Sequence, residues 1–212
     1  MLEVHPTKHG TGVEFIGTYN DLASLYDTMT KLSMTNIEFL SEDERLLTII
    51  PYDLRHAFQG DREVYKNNLT FGFKTNWITL LYTIACLRHH QNYIPLTKID
   101  LANLLVFEEL TEQAMLMYDP RGHAALQPFI GMRINIGTQY TYLAHREAAN
   151  DFLSMRPGKI RFRMIPKILM RWSAPSPTYT RFCEGVDKYI EESGYSISNI
   201  DREIPAEEKI IW

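Results

Sequence analysis

From Trp77 to Leu87 the chain reads Trp-Ile-Thr-Leu-Leu-Tyr-Thr-Ile-Ala-Cys-Leu, an apolar run broken only by Thr79 and Thr83. No other run is as apolar for as long, so it constrains the fold most. It is shorter than the ~20 residues a membrane-spanning helix needs. Asn76 can open a helix here, with Trp77, Leu80, Leu81, Ile84 and Leu87 on one face at helical spacing. The polar run Arg88 to Asn92 ends it. An amphipathic helix is therefore predicted.

A chain of 212 residues, 45% apolar and 23% charged, has the makeup of a soluble globular protein. About 70% of its unfolded surface should be buried at this size. The opening MLEVHPTKHG has no basic stretch followed by an apolar one, so no signal peptide is predicted. Cys86 and Cys183 fall in amphipathic or aromatic-rich segments, where small buried thiols are expected rather than a metal site or disulfide framework. A cytoplasmic protein without membrane contact is the expectation.

Local signals divide the rest. Leu2 to His5 and Val13 to Gly17 read as strands around a loop rich in Pro and Gly. Asn20 or Asp21 can cap a helix reaching Leu32. Ser41 to Glu44 and Thr97 to Asp100 are capping boxes, the second starting a helix to about Tyr118. Pro51 either kinks a helix or begins one, and Gly60 stops it. Glu63 to Lys66 and Leu69 to Lys74 suggest a hairpin across Asn67-Asn68, added to the first strands. Asp119 to Gly122 reads as a type I turn, and 123–155 as one or two helices with Gly131 and Gly137 as interruptions. After Arg156-Pro-Gly158, residues 160–164 fit either a strand or a helix start. Pro166 to Trp172 looks helical, and Pro177 to Ser193 forms a last helix before Gly194.

The fold class is therefore α+β and mostly helical. A small, mainly antiparallel N-terminal sheet is packed by helices, and the C-terminal half is all helical. One domain over 1–212 is expected; the alternative divides it into an α+β part, 1–94, and a helical part, 95–212.

Chemistry-bearing side chains are densest in Pro51 to Asn67. Within a helix, Asp53 and His56 share a face. Arg55 and Arg62 are candidates to grip a phosphate or carboxylate, and His56, Asp53, Asp61 and Glu63 are candidates for acid–base work. The same residues also suit a plain helix end: Arg and His against the negative dipole end, a glycine cap, and Asp61 and Glu63 paired to Arg55 or Arg62. In the helix after Lys98, Glu108 and Glu112 lie within an apolar arc, so a largely buried helix is expected, with ion pairs to Arg133, Arg146 or His145.

Charge is uneven. Phe152 to Cys183 holds seven basic residues and no acid, leaving −11 for the rest of a chain whose total is −4. Arg161, Arg163, Lys167 and Arg171, near Phe162 and Trp172, are candidates for binding nucleic acid or an acidic partner. The competing reading is a solvated face meeting Glu184, Asp187, Glu191 and Glu192 of the same chain. No dinucleotide fingerprint, P-loop, nucleophile elbow, zincin helix or Cys-x-x-Cys occurs, so neither metal nor cofactor is indicated.

Thr11 to Gly17 (TGVEFIG), the helix near Asp21, the stretch YDLRHAFQGDREV and the Trp77 helix together resemble a family of small bacterial proteins of unknown function. The likeness covers about residues 1–90, carried by Arg55-His56-Ala57 and Gly60-Asp61-Arg62-Glu63. It implies a bacterial, cytoplasmic setting and no particular reaction, and it leaves the second half open as an added module. Three readings stand: a non-catalytic binding or regulatory protein, as a homodimer or with the apolar tail Ile210-Ile-Trp212 docked on a partner; an enzyme for phosphate- or carboxylate-bearing substrates using the 55–63 cluster; and nucleic-acid binding through 156–171.

Overall fold

Alternation of Val13 and Phe15 with Glu14 and Ile16 turns one side of a strand inward. The structure, a computed structural model, describes residues 1–34, 45–65, 69–131, 133–197, 200 and 210–212. In it that strand is β2 (Gly12–Thr18), flanked by β1 (Glu3–Pro6) and β4 (Thr70–Asn76), with β3 (Glu63–Tyr65) beyond β4. The order is β1-β2-β4-β3, antiparallel throughout. The hairpin expected from Glu63 to Lys74 thus joins the N-terminal strands; its Asn67-Asn68 turn lies outside the described residues.

Phe15 stands opposite Phe73 in register, their rings 5.5 Å apart, and Phe107 lies 5.0 Å from Phe15 on the helical side. The other face of the sheet is polar. There Lys74 Nζ lies 2.6 Å from Glu63 and 3.6 Å from Glu14, and the Tyr65 hydroxyl donates to Glu14 at 2.6 Å. Burial works against the Lys74 charge, but the two carboxylates outweigh it and hold the ammonium above its ordinary pKa.

Helix α1 (Tyr19–Ser33) buries Leu22, Leu25, Met29 and Leu32. Its cap is Thr18, not Asn20 or Asp21: β2 runs straight into the helix, and Asp21 closes a capping box from the third position. The box expected at Ser41–Glu44 lies outside the described residues. Helix α2 (Ile49–Gln59) carries Pro51 in its first turn, where the missing N–H takes no donor from the helical ladder, and ends at Gly60 in the left-handed conformation, φ 87°.

Helix α3 (Trp77–His90) corrects the amphipathic expectation. Every residue from Trp77 to Leu87 is buried, because the helix lies inside the molecule rather than along one side of it. Asn76 caps it, accepting from the Thr79 amide and donating to the Thr79 hydroxyl, both at 2.9 Å. Replacing Asn76 by alanine is expected to cost about 1–2 kcal/mol, read as a lower urea midpoint with an unchanged slope.

Helix α4 (Lys98–Tyr118) starts at the Thr97–Asp100 capping box. Burial would raise the Asp100 pKa, but Lys31 at 2.8 Å and the Thr97 amide and hydroxyl bring it down to about 2. The helix is less enclosed than expected: Ile99, Leu105, Leu116 and Met117 are exposed. Glu108 pairs with Arg88 and Glu112 with His123, not with Arg133, Arg146 or His145.

Asp119-Pro120 opens helix α5 (Pro120–Leu126) rather than a type I turn. The proline φ suits both, so the dipeptide alone could not separate them. A 3₁₀ turn (Gln127–Phe129) follows, then non-helical chain in which Gly131 and Gly137 take positive φ, then α6 (Thr141–Ser154). The interruption of 123–155 is therefore longer than expected. Helix α7 (Lys159–Arg171) absorbs the 160–164 segment, with Phe162 wedged edge-on against Trp77 and Tyr118 at 5.4 and 5.1 Å. Helix α8 (Pro177–Ser193) ends at Gly194 as expected. The architecture is α+β, and one hydrophobic cluster runs from Val4 to Trp172. No described helix is long and apolar enough to cross a membrane.

Candidate functional site

The dense stretch at the end of α2 divides into separate pairs. Asp53, buried on the inner side, accepts from Arg62 at 2.8 Å. His56 Nδ1 lies 2.9 Å from Asp61, and Glu63 is held by Lys74. Arg55 extends over the Tyr52 ring, 5.7 Å from its centroid. Asp53 and His56 thus engage different partners although they share a helical face. The predicted pairings of Asp61 and Glu63 with Arg55 or Arg62 are replaced by contacts with His56 and with Lys74 across the sheet. Asp61, Arg62, Glu63 and Lys74 still border one cleft of about 330 Å³, closed on one side by Trp212. The apolar C-terminus thus borders a cleft of its own chain, with Ile211 still exposed.

The basic segment is also distributed by its helix. Arg163 grips the buried carboxylate of Asp119 with two bonds, 2.5 and 3.0 Å. That pairing, more than the opposing effect of burial, holds the carboxyl below its usual range. Arg171 reaches Asp151 at 3.2 Å, and Asp151 also accepts from the Trp172 indole at 2.8 Å. Lys167 and Arg171 border a shallow cleft of about 320 Å³ beside Asp151. The acids that receive these charges are Asp119 and Asp151, not Glu184, Asp187, Glu191 or Glu192, because α7 packs against α5 and α6.

Arg161 is set apart from the other three. It is 2% exposed. Its guanidinium lies 4.7 Å from the centroid of the Phe152 ring, donates through Nη2 to the Thr11 hydroxyl and reaches the Met155 carbonyl through Nη1 at a long 3.4 Å. Nε has no hydrogen-bond partner, and no carboxylate among the described residues pairs with it. Burial pushes its pKa down, against the opposing influence of Tyr118. Arg161 also occupies the first turn of α7, where the helix dipole disfavours a cation and where no acid is present. Burial, lack of a counter-ion among the described residues and helix position all penalise the same positive charge.

That charge borders a cavity of about 560 Å³, within the range of small-molecule sites. Arg156 lies exposed at its rim, Asn150 and Ser154 contribute polar groups, and Leu153, Met155, Ile210 and Ile211 contribute apolar wall. Among the described lining residues there is no acid, histidine or cysteine. The Thr11 hydroxyl donates to the Ile211 carbonyl while receiving Arg161, so one side chain positions both the guanidinium and the tail.

Sequence reasoning singled out Arg161, but for contact with nucleic acid or an acidic partner, and the apolar tail for docking on a partner. Thr11, 150 positions from Arg161 and 200 from Ile211, carried no local signal. Elsewhere His145 is fully buried, its Nε2 3.0 Å from the Thr79 hydroxyl and its Nδ1 without a partner. The same Thr79 hydroxyl also accepts from the Asn76 amide, so the imidazole is tied to the cap of α3. No group of three or more His, Cys, Asp or Glu among the described residues could hold a metal ion.

An α+β chain with this arrangement defines a class by its pattern. The chain belongs to the family described as Domain of unknown function (DUF6904), matched over residues 2–212. The family pattern therefore takes in the second half, which is not an added module. No curated protein and no solved structure matches the chain.

Proposed function

We propose that this protein is a non-catalytic binding protein for a small organic anion, held by Arg161 in the cavity between α6, α7 and the C-terminal tripeptide. The observation that carries this reading is the buried guanidinium with a free Nε–H and no carboxylate partner among the described residues. An uncompensated buried charge costs several kcal/mol, and a bound anion offsets that cost. The lining supports binding over turnover, since its described residues offer two guanidiniums, an amide and a hydroxyl and no group suited to moving a proton. The pairing of Asp53, His56, Asp61, Arg62 and Glu63 supports a structural role for that stretch. Two free thiols, Cys86 buried and Cys183 half-buried, support a reducing, cytoplasmic setting.

Thermal denaturation with formate, acetate, benzoate or inorganic phosphate tests the reading. At a concentration 100-fold above Kd a bound anion adds about 2.7 kcal/mol, a rise of several degrees in Tm. The rise should be absent in Arg161→Met. If none of the four raises the wild-type Tm, or if Arg161→Met responds equally, the reading is wrong.

A further inference from the structure

We infer that the anion held by Arg161 is a monocarboxylate bearing an apolar chain or ring; this rests on the anion-binding reading above. Charge balance sets the valence. One guanidinium is buried at the cavity, and the second, Arg156, is exposed at the rim. A monoanion leaves the buried charge neutralised, whereas a phosphate dianion leaves a net negative charge away from water.

Geometry favours a carboxylate. The guanidinium presents parallel N–H groups in a plane, matching the two oxygens of a carboxylate. Of those donors, Nε–H is uncommitted, Nη2 is held by Thr11, and Nη1 makes only the 3.4 Å contact to Met155. The Phe152 ring lies against the guanidinium, fixing the plane an acid must meet.

The walls specify the rest of the molecule. Leu153, Met155, Pro157, Ile210 and Ile211 provide apolar surface around about 560 Å³, far more room than a carboxylate alone fills. Trp212, the last residue, borders the other cleft. Because Thr11 holds both Arg161 and the Ile211 carbonyl, the guanidinium and the apolar tail border the same cavity. Each methylene buried there should tighten binding about fourfold.

The test uses the full-length protein and acetate, butanoate, octanoate, octanol and inorganic phosphate, with binding followed by calorimetry and by the Arg161 Nε–H resonance in nitrogen-edited NMR. Octanoate should bind saturably, shift that resonance and bind at least tenfold more tightly than butanoate. Octanol should leave the resonance unmoved. Ile211→Ser, which alters a half-exposed side chain and keeps the carbonyl held by Thr11, should weaken octanoate several-fold and leave acetate unchanged. Arg161→Met should lose octanoate binding, and if that variant does not fold, the wild-type resonance decides. If acetate and phosphate move Nε–H but chain length adds nothing, the apolar-acid assignment falls while the anion site stands. If no probe moves Nε–H, or octanoate binds Arg161→Met as well as wild type, both fall.

Discussion

Replacing Gly12 with alanine will destabilise the fold by about 4 kcal/mol or more. A methyl group on Gly12 would sit 1.8 Å from the Thr75 carbonyl oxygen and 2.7 Å from the Asn76 Cα. Both are backbone atoms of β4 at its junction with α3, so no side-chain rotation relieves the overlap. Moving β2 away would break its ladder with β4 and the bond from the Trp77 amide to the Thr11 carbonyl. The loss is comparable to the 5–15 kcal/mol stability of a typical domain. Gly185 is the matched control. It lies exposed in α8 with nothing within 4 Å of an added Cβ, so Gly185→Ala should stabilise by about 0.5–1 kcal/mol through helix propensity. Urea unfolding followed by circular dichroism measures both, and a wild-type midpoint for Gly12→Ala would refute the argument.

Acidification from pH 7 to pH 5 should lower the unfolding free energy by roughly 2 kcal/mol through His145 alone. Burial, with a smaller push from neighbouring Arg146, depresses the imidazole pKa from 6.5 to about 3. Between those values the unfolded chain binds a proton that the folded protein excludes. Stability from this group is therefore fully present above pH 6.5 and falls as pH drops from there toward 3, by up to about 1.4 kcal/mol per unit. Burial keeps the ring neutral: its Nε2 lies against the Thr79 hydroxyl, and the Tyr82 ring packs edge-on at 5.3 Å. The depressed carboxylates of Asp21, Asp100 and Asp119 lose their contribution only at lower pH, below the histidine range. The interval from 7 to 5 thus isolates the histidine from them. His145→Gln should lower stability at pH 7 through lost packing yet flatten the slope between pH 7 and 5. An equal slope in the variant would show that another group dominates.

The anion reading connects these sites to one structural node. Thr11, between Gly10 and Gly12, receives Arg161 through its hydroxyl, holds the tail, and through its carbonyl accepts the first amide of α3. The close approach that forbids a side chain at position 12 is the same approach that brings the β1–β2 loop to α7.

Local features were legible in the sequence. The Thr97–Asp100 capping box, the Asn76 cap, the Gly60 and Gly194 stops and the Pro177–Ser193 helix each depend on atoms three to five positions apart. The alternation of Val13 and Phe15 likewise placed β2 and its buried face. The site was only half legible. Arg161 stood out as one of seven basic residues, but its neighbours suggested a surface for nucleic acid or an acidic partner, or a solvated face. Arg163 and Asp119 meet across 44 positions, and Arg161 and Thr11 across 150. Such pairings depend on how α7 packs against α5 and α6, which no local spacing encodes.

The sequence by itself determined the N-terminal strands, most of the helices with several of their ends, and that the Trp77 run must be a helix. Hydrogen-bond chemistry and side-chain periodicity act within a few residues and leave their mark on neighbouring letters. Tertiary structure alone decided that α3 is enclosed on all sides, that the dense 53–63 stretch resolves into separate ion pairs, and that one arginine of a basic run is turned inward without a carboxylate partner among the described residues. Those outcomes depend on which surfaces meet, and burial changes the energy of a charge far more than any neighbour in sequence can.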